Sequence, residues 1–276
     1  MTIGIFDSGI GGLTVLRAVQ DRLPHVPVTF LADFGYVPYG PRTADDILER
    51  SRRIISWMHH QGVSLVVAAC HSSSAVLNSS VLAQAPCPVL TMIDPTVSCI
   101  VRQAQQEQWS QGIGLLGTNL TIQQGTLAHA LRNTGFSLNI HSLACPGLAE
   151  MIESLTWDEA YAYVHHHICP PFQANNIDML VYGCTHYPLL HPWIADQHFP
   201  WWGSVLDPAQ EVSHWVASSG HWSAPPCDSS DHNTPSPVSF YYTGPPEQGH
   251  VRLARHWPLT HSHVTDLSID CAAHKA

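Results

Sequence analysis

Lysine is almost absent from this chain of 276 residues, and its single lysine, Lys275, stands next to the C-terminus. Enzymes that use pyridoxal phosphate hold the cofactor through a lysine inside the active site, so a lysine at the chain end argues against that cofactor. Lysine and arginine together number 11 against 21 acidic residues, which gives a formal net charge of −10. Because no basic run occurs either, a nucleic-acid partner is not expected.

Other common signals are also missing from the sequence. No stretch of about 18 consecutive apolar residues occurs, so no membrane span is predicted. The first six residues contain no basic region and no cleavage site, which predicts a cytoplasmic protein whose eight cysteines are reduced. The chain has no Cys-x-x-Cys motif and no Gly-Lys-Ser/Thr motif, which argues against a zinc ribbon, a thioredoxin-type site and a nucleotide-binding P-loop.

Short apolar runs alternate with amphipathic segments through the first part of the chain. Residues 2–7, 28–32, 63–69 and 89–93 are predicted to be strands, and residues 44–61 a helix. Continuous apolar runs are typical of parallel strands that are buried on both faces. The alternation therefore predicts an α/β fold with a largely parallel sheet covered by helices.

The pattern then starts again near residue 112. Residues 112–118 resemble the first strand and its turn, and residues 177–183 resemble the run that ends at residue 69. Cys70 follows the run at residues 63–69, and Cys184 follows the run at residues 177–183. We interpret this as an internal duplication that gives two pseudo-symmetric α/β halves with the active site in the cleft between them.

This interpretation divides the chain into a first half, a second half, a loop and a tail. We assign residues 1–97 and 206–260 to the first half, residues 98–205 to the second half, residues 218–239 to a long loop, and residues 261–276 to a poorly ordered tail.

Reactive side chains stand where the predicted strands end. In open α/β sheets, ligands bind beyond the carboxyl ends of the strands. Cys70 and Cys184 both end an apolar strand and enter a polar turn, and a nearby helix N-terminus is expected to lower a thiol pKa toward neutrality. Two such thiols on opposite sides of a ligand suit a reaction in which one removes the Cα proton and the other delivers a proton to the opposite face.

Such a reaction needs help from the rest of the site. An amino-acid Cα–H is weakly acidic, so donors must be aimed at the substrate carboxylate and water must be excluded from the thiolate. The acidic protein surface repels anions, which adds to the need for local donors. The ordinary role of a small buried hydrophobe is preferred for five other cysteines: Cys87, Cys99, Cys169, Cys227 and Cys271.

Four segments together resemble the bacterial glutamate racemases of the aspartate/glutamate racemase superfamily. They are Phe-Asp-Ser-Gly-Ile-Gly-Gly-Leu at 6–13, Val-Pro-Tyr-Gly at 37–40, Ala-Cys-His-Ser-Ser-Ser-Ala at 69–75 and Gly-Cys-Thr-His-Tyr-Pro-Leu-Leu at 183–190. Ala-Cys-Pro at 144–146, Glu153 and Tyr-Thr-Gly at 242–244 are similar to further family features. The resemblance extends from about residue 3 to about residue 245.

The resemblance implies a cofactor-independent and metal-independent enzyme that interconverts L- and D-glutamate and supplies D-glutamate for peptidoglycan, as a homodimer of undefined arrangement. Cys70 acts on D-glutamate and Cys184 on L-glutamate in this interpretation, with Asp7, His186 and Glu153 assisting them. The residues expected to bind the substrate, an acidic amino acid, are Asp7, Ser8, Pro38, Tyr39, Gly40, His71, Ser72, Thr118, Thr185 and His186.

Two departures from the family pattern stand out. The family usually has Cys-Asn-Thr after the first cysteine strand, whereas this chain has Cys70, His71 and Ser72. A neutral His71 holds the substrate ammonium through a ring nitrogen, whereas a protonated His71 repels it and acidifies Cys70. Both alternatives stay open on the sequence. The second departure is Asp-Phe-Gly-Tyr at 33–36 in place of the usual Asp-Thr-Ala-Arg, which we expect to remove a surface or loop contact.

Competing interpretations exist for the reaction and for single residues. One alternative is a racemase of aspartate or another acidic amino acid. Another is a catalytically silent binding protein; the altered residue His71 favours this hypothesis, whereas the two retained cysteines argue against it. The histidine runs at 59–60 and 165–167 invite a metal site, but adjacent helical positions point apart and chelate poorly. Asp7 is alternatively a cap for the helix that follows it.

Overall fold

The computed structural model describes residues 1–194, 204–219, 238–257 and 263–266. The strands in these residues are β1 (Ile3–Asp7), β2 (Val28–Ala32), β3 (Leu65–Ala68), β4 (Val89–Thr91), β5 (Gly112–Gly117), β6 (Asn139–Ala144), β7 (Met179–Gly183), β8 (Ser204–Leu206), β9 (Val238–Tyr242) and β10 (His263–Asp266).

Helices connect these strands. They are α1 (Gly12–Arg22), α2 (Ala44–His60), α3 (His71–Val76), α4 (Ser79–Leu82), α5 (Ile93–Glu107), α6 (Asn119–Gln124), α7 (Thr126–Asn133), α8 (Leu148–Glu153), α9 (Trp157–Tyr163), α10 (Cys169–Asn175), α11 (His191–Ile194), α12 (Pro208–Ser218) and α13 (Pro246–His256). A π-helical turn (Val164–Ile168) joins α9 to α10, and a 3₁₀ turn (Tyr187–Leu190) precedes α11. Within the described residues, no helix has the length and apolar character needed to cross a membrane.

The strands form two sheets with a repeated order. The first sheet has the order β10-β9-β2-β1-β3-β4 and the second has the order β6-β5-β7-β8. Every described pair of neighbouring strands is parallel. The order β2-β1-β3-β4 in the first sheet corresponds to β6-β5-β7-β8 in the second. The predicted α/β fold with parallel sheets is therefore confirmed, and the repeated order agrees with the duplication inferred from the sequence.

Each sheet is covered by apolar side chains on both faces. Along β1, Ile5 packs in the cluster that contains residues of α1 and α12, whereas Phe6 packs on the other face with residues of α2. Such burial on both sides explains why the strands are continuous apolar runs rather than alternating ones. Helix α2 begins where Thr43 accepts a hydrogen bond from the backbone N–H of Asp46 at 3.2 Å, close to the predicted start.

Two glycines allow α1 to begin against the second half of the chain. A methyl group on Gly11 would lie 2.5 Å from Thr185 Oγ1, and one on Gly12 would lie 2.4 Å from the Asp7 side chain. Neither distance is compatible with a Cβ atom. Gly11 therefore lets the first helix approach the turn that follows Cys184, and Gly12 lets the same helix pack closely against Asp7 at the end of β1.

The C-terminal part departs from the sequence prediction in one respect. Strand β10 lies within the segment 261–276 that was predicted to be a poorly ordered tail, and it pairs with β9. Residues 267–276 and most of the predicted loop, residues 220–237, lie outside the described residues. The division into halves at 97/98 and 205/206 stays a prediction, although β9 and α12 do pack with the first sheet.

Candidate active site

A cavity of about 200 Å³ lies where the carboxyl ends of strands from both sheets meet. Twelve of the thirteen predicted site residues line it: Ser8, Pro38, Tyr39, Gly40, Cys70, His71, Ser72, Thr118, Glu153, Cys184, Thr185 and His186. They come from separate segments of the chain that the two sheets bring together. The thirteenth, Asp7, does not line the cavity.

Cys70 forms the first side of the site. It follows β3, and its backbone precedes the first turn of the short helix α3. Its Sγ lies 3.8 Å from Ser8 Oγ. Burial raises the pKa of the Cys70 thiol to about 12, the negative charge of Asp7 adds to this rise, and the backbone N–H of Ser73 only partly opposes it. The expected acidification by a helix N-terminus is therefore wrong for Cys70, because removing the thiolate from water outweighs the helix.

Cys184 lines the same cavity, and its surroundings differ from those of Cys70. Its Sγ lies 3.8 Å from His186 Nδ1, and His186 Nε2 lies 2.6 Å from Glu153 Oε2. Burial alone lowers the pKa of His186, but the hydrogen bonds and charges of Cys184 and Glu153 outweigh burial and raise that pKa well above its usual value. The raised pKa favours the protonated imidazolium of His186, which places a positive charge between Cys184 and Glu153.

Glu153 joins three parts of the molecule. Its Oε2 also accepts a hydrogen bond from the backbone N–H of Ile10 at 3.0 Å, and its Oε1 lies 3.5 Å from Arg252 Nη1. Burial raises the pKa of Glu153, but the hydrogen bond and charge of His186 outweigh burial and lower it. Glu153 thus stays ionised. It connects α8 with the turn between β1 and α1, through Ile10, and with α13, through Arg252.

Asp7 lies behind the cavity wall rather than in it. Its Oδ1 accepts a hydrogen bond from the backbone N–H of Gly9 at 2.9 Å, and its Oδ2 accepts one from Thr185 Oγ1 at 2.9 Å. The side chain is fully buried. The helix-cap alternative is wrong, since the backbone of Gly11 precedes α1 without a side-chain cap. The predicted substrate contact of Asp7 stays a prediction. Asp7 instead fixes the orientation of Thr185.

His71 is the altered neighbour of Cys70. Its imidazole is buried, and neither ring nitrogen has a hydrogen-bond partner within the described residues. Burial lowers the pKa of His71 to about 3. Of the two alternatives left open by the sequence, the neutral imidazole therefore applies at neutral pH.

The segment that carries Tyr39 is held by a buried ion pair. The Tyr39 hydroxyl donates to Asp33 Oδ2 at 2.5 Å, and Arg50 donates to the same carboxylate through Nε at 2.7 Å and through Nη2. The ring of Tyr36 lies 3.6 Å from the guanidinium carbon of Arg42. The departing segment thus has a loop contact of its own, the stacking of Tyr36 on Arg42, and the expected loss of the contact that the usual family segment makes stays a prediction.

Hydroxyl groups connect the two halves on the remaining wall. Ser72 Oγ lies 2.9 Å from Thr118 Oγ1, which lies 3.0 Å from Thr121 Oγ1. Thr118 also accepts a hydrogen bond from the backbone N–H of Thr121, so its hydroxyl caps α6. These contacts fix two hydroxyl donors at the cavity.

The part of the chain that the structure describes contains no group of three or more metal-ligating side chains suitably arranged for an ion. The histidines at 165–167 are exposed on the π-helical turn. Their position is that of solvated surface residues.

The sequence prediction missed several lining residues, among them Cys145, Asn119, Glu150 and Arg252. Cys145 follows directly after β6. The rule that ligands bind beyond the ends of strands could therefore have identified it. Arg252 had no comparable signal, because it reaches the cavity from α13, far along the chain.

The fold and the two thiols that line one cavity indicate a racemase, and the comparison with known families agrees. A family model described as Asp/Glu/Hydantoin racemase matches residues 14–212. The chain belongs to this family of racemases, which are isomerases.

Individual relatives narrow the comparison. The chain is similar to the glutamate racemase of Trichodesmium erythraeum, with 33% identity over 247 residues that cover 89% of this chain and 87% of that protein. It is 35% identical to the glutamate racemase of Gloeothece citriformis over 260 residues, 92% of this chain and 88% of that protein. The crystal structure of a glutamate racemase isoform from Bacillus anthracis matches with a TM-score of 0.84 and 26% identity, over 97% of both chains.

Proposed function

We propose that this protein interconverts L-glutamate and D-glutamate without a cofactor, with Cys70 and Cys184 as the acid/base pair. The observation that carries the proposal is that both thiols, which follow equivalent strands of two similar sheets, line one cavity. Relatives named glutamate racemase over most of their length support glutamate as the substrate.

The reaction balances with the two thiols alone. In the direction from L-glutamate, the Cys184 thiolate takes the Cα proton, and the C–H electron pair moves toward the α-carboxylate. The Cys70 thiol then delivers its proton to the opposite face of Cα and becomes a thiolate, while Cys184 becomes a thiol. The assignment of each thiol to one enantiomer rests on the family resemblance. The reverse reaction uses the same groups with their protonation states exchanged.

The surroundings of the two thiols suit that direction. The raised pKa of the Cys70 thiol keeps its proton in place, which suits a proton donor. His186 Nδ1 lies 3.8 Å from Cys184 Sγ, so a positively charged side chain stands beside the thiol that is assigned as the proton acceptor. Glu153 in turn stabilises the imidazolium.

The polar groups of the cavity suit an amino acid. The hydroxyls of Ser8, Ser72 and Thr118 provide neutral polar groups for carboxylate oxygens, whereas the Thr185 hydroxyl proton is already donated to Asp7. The neutral imidazole of His71 has unpartnered nitrogens, one of which accepts a hydrogen bond from the substrate ammonium in this proposal. An unsatisfied buried polar group costs about 1–3 kcal/mol, so this contact contributes to binding as well as to orientation.

The finer parts of the proposal concern the cellular role. D-glutamate serves peptidoglycan synthesis in the cytoplasm, and the active enzyme is a homodimer. The family resemblance supports these three statements.

The test is racemisation of L-glutamate in D₂O without added cofactor. We expect D-glutamate with deuterium at Cα, while the remaining L-glutamate keeps its protium at early times, because separate groups remove and deliver the proton. Exchange with neither enantiomer of glutamate or aspartate would refute a racemase function, and exchange with aspartate alone would reassign the substrate.

Single substitutions test the roles of the thiols. Cys70→Ala and Cys184→Ala are each expected to abolish racemisation. Cys169→Ala is the matched control, because Cys169 is also a buried thiol but does not line the cavity. Ordinary turnover by either of the first two variants would overturn the two-thiol mechanism.

A further inference from the structure

One cation lines the cavity without a role in the mechanism above. Arg252 is the only arginine or lysine among the lining residues that the structure describes. It reaches the cavity from α13, and its side chain is 33% exposed, so it lies at the mouth rather than in the interior.

The contacts of Arg252 leave donors available. Its Nη1 lies 3.5 Å from Glu153 Oε1, which is longer than a charge-assisted hydrogen bond of about 2.7–2.9 Å. Its guanidinium carbon lies 5.2 Å from the centre of the Phe34 ring, a contact that uses the face of the guanidinium rather than its N–H groups. A guanidinium has five N–H donors, so these two contacts leave further donors on a side chain that lines the cavity.

Glu153 makes its hydrogen bonds through Oε2, to His186 and to the backbone N–H of Ile10. Its buried Oε1 has no hydrogen-bond partner within the described residues and faces Arg252 at 3.5 Å, where the arginine charge helps to lower the pKa of Glu153. Because this contact is long, the N–H donors of Arg252 are not used by Glu153 and can serve another partner.

The charge balance of the cavity indicates what that partner is. A dicarboxylic amino acid brings a second carboxylate into a cavity lined by Glu150 and Glu153, on a protein with a net charge of −10. The hydroxyl donors are neutral, and His71 is neutral as well. Among the described lining residues, only Arg252 supplies a permanent positive charge at the mouth to offset this repulsion.

We propose that Arg252 is a specificity-determining residue, which pairs with the side-chain carboxylate of a dicarboxylic amino acid at the cavity mouth. The proposal rests on the proposed function. It assigns the recognition of the second carboxylate to a side chain outside the segments that carry the thiols and hydroxyls.

The experiment compares R252Q and R252K with R255Q. Arg255 is on the same helix, is exposed and does not line the cavity, so R255Q makes the same change of charge away from the site. We expect R252Q to raise KM for both enantiomers of glutamate about three- to tenfold with little change in kcat, as for a partly exposed charge pair. R252K keeps part of the affinity, and R255Q behaves as wild type. The KM of R252Q also responds less to salt.

Different outcomes separate this proposal from the proposed function. A lower kcat or a shifted pH profile with unchanged KM in R252Q would mean that Arg252 acts through Glu153 and His186, which would overturn the specificity role. If wild type binds glutamate in calorimetry but does not racemise it, the racemase function fails, and the Kd of R252Q still decides the role of Arg252. Wild type that binds neither glutamate nor aspartate overturns both proposals.

Discussion

The buried imidazole of His71 leads to a quantitative prediction for stability in acid. Its pKa falls from the usual 6.5 to about 3 in the folded protein because of burial. Between these values the unfolded chain binds a proton that the folded chain does not, so stability falls as the pH drops below 6.5 and levels off near pH 3. Each pH unit in this window costs about 1.4 kcal/mol.

The perturbation is His71→Asn, which removes this titration. From pH 7 to pH 5, the protein with His71 is expected to lose about 2 kcal/mol of unfolding free energy more than the variant, since one and a half pH units separate 6.5 from 5. Groups unchanged by the substitution cancel in this difference. The assay is urea denaturation of both proteins at pH 7 and pH 5.

A matched control and a direct probe complete the test. His165→Asn changes an exposed histidine and is expected to follow wild type. In proteins with labelled histidine, the ring resonance lost in His71→Asn is expected to keep its neutral position down to pH 4. A difference in acid sensitivity below about 0.5 kcal/mol, or a ring that titrates near pH 6.5, would refute the reasoning, because it would mean that the folded imidazole takes up a proton as readily as the unfolded one.

Three further predictions concern the surroundings of the thiols. Glu153→Gln removes the anion that raises the pKa of His186, so turnover of L-glutamate is expected to decline at a lower pH than in wild type as the pH rises, which pH–rate profiles measure. Cys145→Ser is expected to keep kcat/KM near the wild-type value, since the Sγ–H of Cys145 points to a backbone oxygen at 3.7 Å; a large loss would contradict this. Arg50→Gln leaves the buried carboxylate of Asp33 unpaired and is expected to cost about 3 kcal/mol, seen as a lower Tm in thermal denaturation; an unchanged Tm would contradict it.

The positions of the two thiols were predictable because they depend on short-range patterns. A buried parallel strand is a continuous apolar run, and the residue after it lies at the edge where ligands bind. Cys70 and Cys184 follow this rule, and twelve of thirteen predicted residues do line the cavity. The motif resemblance supplied those that strand ends alone do not identify, such as Pro38 and Glu153.

The remaining features depend on long-range packing. Asp7 ends β1 at the correct edge, but its carboxylate turns toward Gly9 and Thr185, which lie in different halves of the chain. The neutral state of His71 follows from burial that no local pattern reveals. Strand β10 is four residues long and mostly polar, so its pairing with β9 carries almost no sequence signal.

The unequal surroundings of Cys70 and Cys184 have a consequence for the kinetics of the proposed reaction. Each turnover leaves the two thiols with exchanged protons, so the enzyme must return to its resting form before it can accept L-glutamate again. In the proposed mechanism, D-glutamate reacts with the form of the enzyme in which the two protons are exchanged. Because mirror-image molecules have equal free energies in water, kcat/KM must be the same for both enantiomers. The asymmetry of the site can therefore make kcat and KM differ between L-glutamate and D-glutamate only by the same factor. The final ratio of the two enantiomers at equilibrium does not reveal this difference.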